Sequence, residues 1–253
     1  LQIALPDDPE DVILALAEVA KNLVVVNISG SPVAMPWADS ADAIVQGWYG
    51  GTESGNALAD VLTGKVNPSG RLPFSVPFKY EDGPIKTEAQ YPGIKTEDDE
   101  FWQTHYSEGV YVGYRWYATQ EIPVQFPFGH GLSYTTFEYS NAKAAKPSMT
   151  AAGTLKVSVD VENTGSVDGA EVVQLYIADP EASVDRPAKE LKGFEKVFLK
   201  AGQKKTVTFE IDAEDLSYFD AEKHEWVAES GEFQALLGSS SEDLKAMVSF
   251  QLK

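Results

Sequence analysis

The chain has 253 residues, with 20 Lys and Arg against 39 Asp and Glu, a formal charge of −19, and no Cys. A surface this acidic repels phosphate backbones and anionic membranes, which argues against nucleic-acid or lipid partners, and without Cys there is no disulfide framework, thiolate metal site or cysteine nucleophile. An apolar content of 43% is that of a folded chain, and the longest apolar run, residues 23–28, falls far short of the roughly 20 residues that span a bilayer.

The opening at Leu1, without Met or a leader pattern, reads as a processed or excised piece. Residues 1–77 alternate short β-branched runs with helical patterns, the signature of an α/β layer on a mostly parallel sheet. Asp8, Pro9, Glu10 and Asp11 suit a helix start, with Asp8 as N-cap and acids in the first turn. Val12, Ile13, Leu16, Val19 and Ala20 follow at helical spacing. A buried strand is expected at residues 23–28 and a second within 43–49. A helix is expected at 52–62, with Ala57, Leu58, Val61 and Leu62 as its stripe and Gly64 as its C-cap. These βα units are too few for a parallel sheet covered on both faces, so sequence upstream of Leu1 is expected to complete the layer.

Residues 78–141 lose this regularity. They are dense in Tyr, Trp, Phe, Pro and Gly, and contain the acidic run 97–100; long irregular segments of this kind serve as functional loops or interface arms. Residues 142–152 read as a linker into a third part, 142–253. There, alternating runs at 155–161, 171–177, 190–199, 205–211, 232–237 and 246–252, separated by turns, predict an all-β sandwich of about seven strands.

Little in these residues announces catalysis. The Gly50-Gly51-Thr52-Glu53-Ser54-Gly55 turn matches neither phosphate-binding loop pattern, and Glu53 would repel a phosphate. His105, His130 and His224 do not stand at metal-ligand spacing, and no Ser lies in a nucleophile elbow. The acidic run lacks the spacing of a calcium loop and reads as a solvated face. Spacing singles out no carboxylate pair for glycoside hydrolysis. Trp102, Tyr106, Tyr111, Tyr114, Trp116 and Tyr117 suit stacking on sugar faces, but packing between domains is the favoured reading. Trp102, Tyr106, Tyr114, Trp116 and His130 are the candidate substrate contacts.

Several segments resemble glycoside hydrolase family 3, the β-glucosidase and β-xylosidase group. VVVNISGSPVAMPW (24–37), AIVQGWYGGTESGNALADVLTGKVNPSGRLPFSVP (43–77) and EGVYVGYRWY (108–117) are similar to motifs of its α/β sandwich domain and the segment beyond. FPFGHGLSYTTFEYS (126–140) resembles the signature leading into its third domain. NTGSVDGAEVVQLYIADP (163–180), RPAKELKGFEKVFL (186–199) and GEFQALLGSSS (231–241) resemble that domain, a fibronectin type III-like sandwich. The resemblance implies a retaining exo-glycosidase in which an Asp of an N-terminal (β/α)₈ barrel attacks the anomeric carbon and a Glu of the α/β domain acts as acid, then base. Two carboxylates about 5 Å apart suit that double displacement. No residue here matches either catalytic motif, so both are expected outside this segment, and Glu53 reads as structural. The resemblance further implies the barrel and an upstream α/β segment of the same enzyme as partners, a β-glucoside or related oligosaccharide as substrate, and no metal or organic cofactor. It suggests a periplasmic or secreted setting by family habit. Nothing in the sequence fixes a homodimer. The other reading is a non-catalytic carbohydrate-binding or scaffold module.

Overall fold

The computed structural model describes residues 9–97 and 100–253; the expected N-cap Asp8 and the centre of the acidic run lie outside them. Helix α1 (Pro9–Val19) carries Glu10 and Asp11 in its first turn, where carboxylates meet the positive end of the helix dipole. Strands β1 (Val24–Asn27) and β2 (Ala43–Gln46) pair in parallel, Val24 opposite Ala43 and Asn27 opposite Gln46. The polar ends of this short sheet satisfy each other: the Asn27 amide donates to Gln46 Oε1 at 2.7 Å, and Gln46 Nε2 donates to the Ser29 carbonyl at 3.0 Å. Helix α2 (Ser54–Leu62) follows a 3₁₀ turn at Gly51–Glu53. It stops where Gly64, at φ +75°, takes the left-handed conformation a side chain would resist.

This part has a small core of Met35, Trp37 and Val76, with Ile13, Val25, Ile44, Leu72, Phe74 and Phe126 packed around it. The helical stripes read from the sequence are formed but largely uncovered. Ile13 reaches the core, whereas Val12, Leu16 and Val19 face solvent, Val19 at 81% exposure, and neither helix buries a residue fully.

The irregular stretch from residue 78 contains one six-residue helix, α3 (Tyr114–Thr119), and a loop closed by the paired backbones of Ile94 and Gln103. The sandwich follows. Its strands are β3 (Phe137–Ala144), β4 (Ser148–Met149), β5 (Leu155–Asn163), β6 (Gly169–Ala178), β7 (Glu190–Leu199) and β8 (Lys204–Ile211). After helix α4 (Ala213–Leu216) come the hairpin β9 (Tyr218–Asp220) and β10 (Glu225–Val227), then β11 (Gly231–Gly238) and β12 (Leu244–Leu252). A five-stranded sheet, β4-β12-β11-β6-β7, faces a three-stranded sheet, β3-β5-β8. Strand β5 shows the driving pattern: Leu155, Val157, Val159 and Val161 point inward and are fully buried, while Lys156 and the polar residues between them point outward. Each such aliphatic side chain contributes about 1.5–3 kcal/mol by leaving water.

One expectation is corrected here. Residues 142–144, read as the start of a linker, continue β3, which begins at Phe137 and pairs antiparallel with β5, and Ser148–Met149 form β4 against β12. The register slips between Ser140 and Lys143, where Asn141 sits at φ +54° and donates to Asp160 at 2.9 Å. This irregularity, with few β-branched residues, hides the strand from its sequence.

Candidate functional site at the domain junction and aromatic arm

The segment 126–136 straps the α/β part to the sandwich. Its backbone pairs with that of residues 72–76: the Leu72 N–H donates to the His130 carbonyl at 2.9 Å, and the Gly129 N–H to the Leu72 carbonyl at 2.8 Å. On the other side, Gln174 of β6 donates to the carbonyls of Gly129 and Ser239, and the Ser241 N–H donates to the Phe128 carbonyl at 2.9 Å. Gly129 has φ +81°, and a Cβ there would stand 2.3 Å from the Gln174 side chain. Glycine is required on both counts.

Beneath the strap, Arg71 inserts Nη2 against both carboxylate oxygens of Glu171, at 3.0 and 3.1 Å, with the two side chains only 9% and 5% exposed. Tyr139 also donates to Glu171. Burial and the Glu171 charge push the Tyr139 hydroxyl well above its ordinary ionisation range. A second buried guanidinium, Arg186, pairs with Asp179 and Glu190 at 3.0 Å each and donates to the Leu216 carbonyl at 2.9 Å. Burial outweighs that pairing and raises the Asp179 carboxyl. Glu171, Asp179 and Glu190 therefore serve structure, tied to guanidinium groups.

Helix α3 docks on this second network. Arg115 pairs with Glu190 at 3.0 Å, the Leu191 N–H donates to the Tyr114 hydroxyl at 2.7 Å, and the Ala188 N–H donates to Thr119 Oγ1 at 2.9 Å. Tyr111 donates to Asp185, and burial together with this carboxylate pushes its hydroxyl up to about 12.

The structure thus separates the five candidate contacts. Tyr114 stacks on Phe128 at 4.7 Å and meets Tyr176 edge-on at 5.8 Å, inside the junction. Trp116 donates its indole N–H to the Asp82 carbonyl at 2.9 Å beneath Lys86. The His130 ring lies against Phe126 at 5.6 Å, and burial and the nearby Arg71 charge hold its ionisation below the usual imidazole range. Trp102 and Tyr106, by contrast, stand 60% and 79% exposed on the arm, beside exposed Phe101, Ile94 and Tyr91. Sequence reasoning named the aromatics but missed the working parts of the junction, Arg71, Glu171 and Arg186. Glu171 leaves a trace: it falls on the inward phase of β6, where an acid demands a partner. Glu53, read as structural, accepts from Asn56 at 2.7 Å within the α2 start.

An α/β layer strapped by aromatic and ionic contacts to a fibronectin type III-like sandwich is the C-terminal architecture of a class of glycoside hydrolases. The glycosyl hydrolase family 3 C-terminal domain matches residues 1–134, and the fibronectin type III-like domain matches residues 171–241. The chain belongs to glycosyl hydrolase family 3. It is 48% identical over 253 residues to beta-glucosidase BoGH3A of Bacteroides ovatus, covering 99% of this chain and 33% of that protein. It is 47% identical to thermostable beta-glucosidase B of Acetivibrio thermocellus, covering 96% of this chain and 31% of the relative. The crystal structure of Kluyveromyces marxianus beta-glucosidase in complex with glucose superposes with a TM-score of 0.89 at 44% identity, over 100% of this chain and 29% of that one. The chain spans about a third of the length of the curated relatives it matches.

Proposed function

We propose that this chain is the C-terminal portion of a retaining, exo-acting β-glycosidase of the β-glucosidase type, hydrolysing terminal β-D-glycosidic bonds, with both catalytic carboxylates contributed from outside it. Its partners are an N-terminal (β/α)₈ barrel and an upstream α/β segment of the same enzyme. The observation that carries the reading is the uncovered apolar side of α1, with Val12, Leu16 and Val19 in solvent beside a parallel sheet whose described part has only two strands. A layer of this kind is stable when covered on both faces, and relatives about three times longer supply the chain to cover it. Trp37 supports the same conclusion: its indole N–H is buried without an acceptor among the described residues, a cost that an acceptor from an added layer would remove.

Within this reading residues 1–77 contribute to the α/β domain, 78–141 form the connecting arm, and 142–253 with the preceding β3 residues form the brace. Sugar contacts from this chain come from Trp102 and Tyr106, the candidates with open ring faces, while Tyr114, Trp116 and His130 hold the arm in place. The test is hydrolysis of an aryl β-glucoside by the chain alone, by the upstream portion alone, and by the two together. Turnover is expected only when both portions are present. Substantial turnover by the chain alone would overturn the proposal.

A further inference from the structure

The hairpin β9–β10 presents an aromatic surface that the junction does not use. Phe219 and Trp226 are cross-strand partners. Their rings meet edge-on at 5.6 Å and remain 49% and 66% exposed. On the opposite face of the hairpin Tyr218 lies under the Arg186 guanidinium at 5.9 Å, so the strand alternation anchors one side and displays the other. Asp220 accepts from the backbones of Glu222 and Lys223 at 3.0 Å each and pairs with Lys223 Nζ at 2.9 Å, fixing the turn.

Trp226 forms one wall of an open depression of about 270 Å³, whose other walls are Lys192, Asp212, Glu214 and Asp215. Asp212 and Asp215 hold each other through the α4 cap: Asp212 Oδ1 accepts from the Glu214 and Asp215 backbones at 2.9 and 3.3 Å, and Asp215 Oδ2 accepts from the Asp212 backbone at 3.2 Å. Each carboxylate is thus oriented through one oxygen, and the second oxygen of each is left to accept from a ligand. Lys192, 4.0 Å from Glu190, adds a donor to the lining.

We propose that this depression binds a neutral oligosaccharide, one sugar ring stacking on Trp226 while its hydroxyls engage Lys192, Asp212 and Asp215. A pyranose has an apolar C–H face for an indole, and hydroxyls that both donate and accept. That matches a concave site with one aromatic wall and a few fixed polar groups of both kinds. Three carboxylates on a chain of charge −19 disfavour an anionic glycan, and Lys192 in the wall disfavours a basic peptide. The described walls all belong to this chain, and the proposal does not rest on the reading of the whole enzyme above.

Calorimetric titration of the chain with cellotetraose and xylotetraose tests this. It is done in a Trp102→Ala/Tyr106→Ala background, so that binding at the arm is not read as binding at the sandwich, and product release is followed in parallel to separate binding from hydrolysis. Saturable binding of at least one tetraose is expected, with affinity falling about tenfold or more on Trp226→Ala and changing little on Trp226→Phe, and none for tetragalacturonate. Because Trp226 is largely exposed its truncation leaves the fold intact, and Lys192→Met gives a second, independent loss. Absence of saturation, affinity unchanged by Trp226→Ala, binding of a lysine-rich peptide alone, or a self-association that Trp226→Ala abolishes would each overturn the proposal.

Discussion

Replacing Glu171 by Gln keeps the shape of the side chain at the domain junction but removes its charge. In the native chain Arg71 lies 3.0 Å from Glu171 with both side chains almost fully withdrawn from water. At an effective dielectric near 20 two unit charges at that distance attract by about 5.5 kcal/mol, and the cost of taking both out of water offsets much of this. Removing one partner leaves the desolvation of the other uncompensated, which typically costs about 3–5 kcal/mol. The penalty for Glu171→Gln is therefore set at about 3 kcal/mol, and the neighbouring His130 offers Arg71 no negative charge in exchange. For a chain of this size that lowers the melting temperature by about 10 °C. Guanidinium unfolding followed by tryptophan fluorescence and by circular dichroism measures it. Four of the five tryptophans, Trp37, Trp48, Trp102 and Trp116, lie on the α/β and arm side, whereas circular dichroism is weighted to the sandwich strands. The two transitions are expected to separate in the variant, with fluorescence changing first. The double variant Arg71→Met/Glu171→Met removes both charges and is expected to lose less than the single one. A single variant within about 1 kcal/mol of the native chain, or a double variant more damaging than the single, would refute the view that this pair latches the parts together.

Further expectations concern the same junction and arm. Gly129→Ala places a methyl group where Gln174 now sits and forces a left-handed alanine, so a stability loss of about 2 kcal/mol or more is expected from denaturant midpoints. His130 is held below the usual imidazole range by burial and by Arg71, against the pull of Asp243. The fold therefore favours the neutral ring, and stability present above the unfolded value of 6.5 declines as pH falls through it. Replacing His130 by Gln is expected to flatten the fall in stability between about pH 7 and 5, as unfolding free energies across that range would show. Trp102→Ala is expected to leave the melting temperature nearly unchanged, because the ring is exposed, while raising KM of the reconstituted glycosidase on an oligosaccharide more than on an aryl glucoside.

How legible these features were depended on whether they are written locally. The long strands of the sandwich were readable because inward positions such as Val157 and Val159 alternate strictly with polar ones. The end of α2 was readable because Gly64 supplies the left-handed residue the cap needs. Strand β3 was not, since its extended form comes from pairing with β5 and not from its own residues, none of which is β-branched. The short hairpin β9–β10 lacks a distinct turn signal, its corner being made by Asp220 and a left-handed His224. Among the aromatics, sequence could not divide Tyr114 from Trp102, because that difference lies in the partners each ring finds across the junction. The stripe on α1 was read correctly as apolar, but its exposure became visible only once the rest of the described chain was in place around it.

The central claim is that the α/β layer of this chain is completed by an upstream portion of the same enzyme. Backbone hydrogen exchange across α1 (Pro9–Val19), compared between the 253-residue chain and the longer protein, tests it most directly. Exchange is expected to be fast in the chain alone, where Leu16 and Val19 face water, and slowed by about 100-fold or more once the upstream layer covers them. Equal exchange in the two proteins would contradict the account.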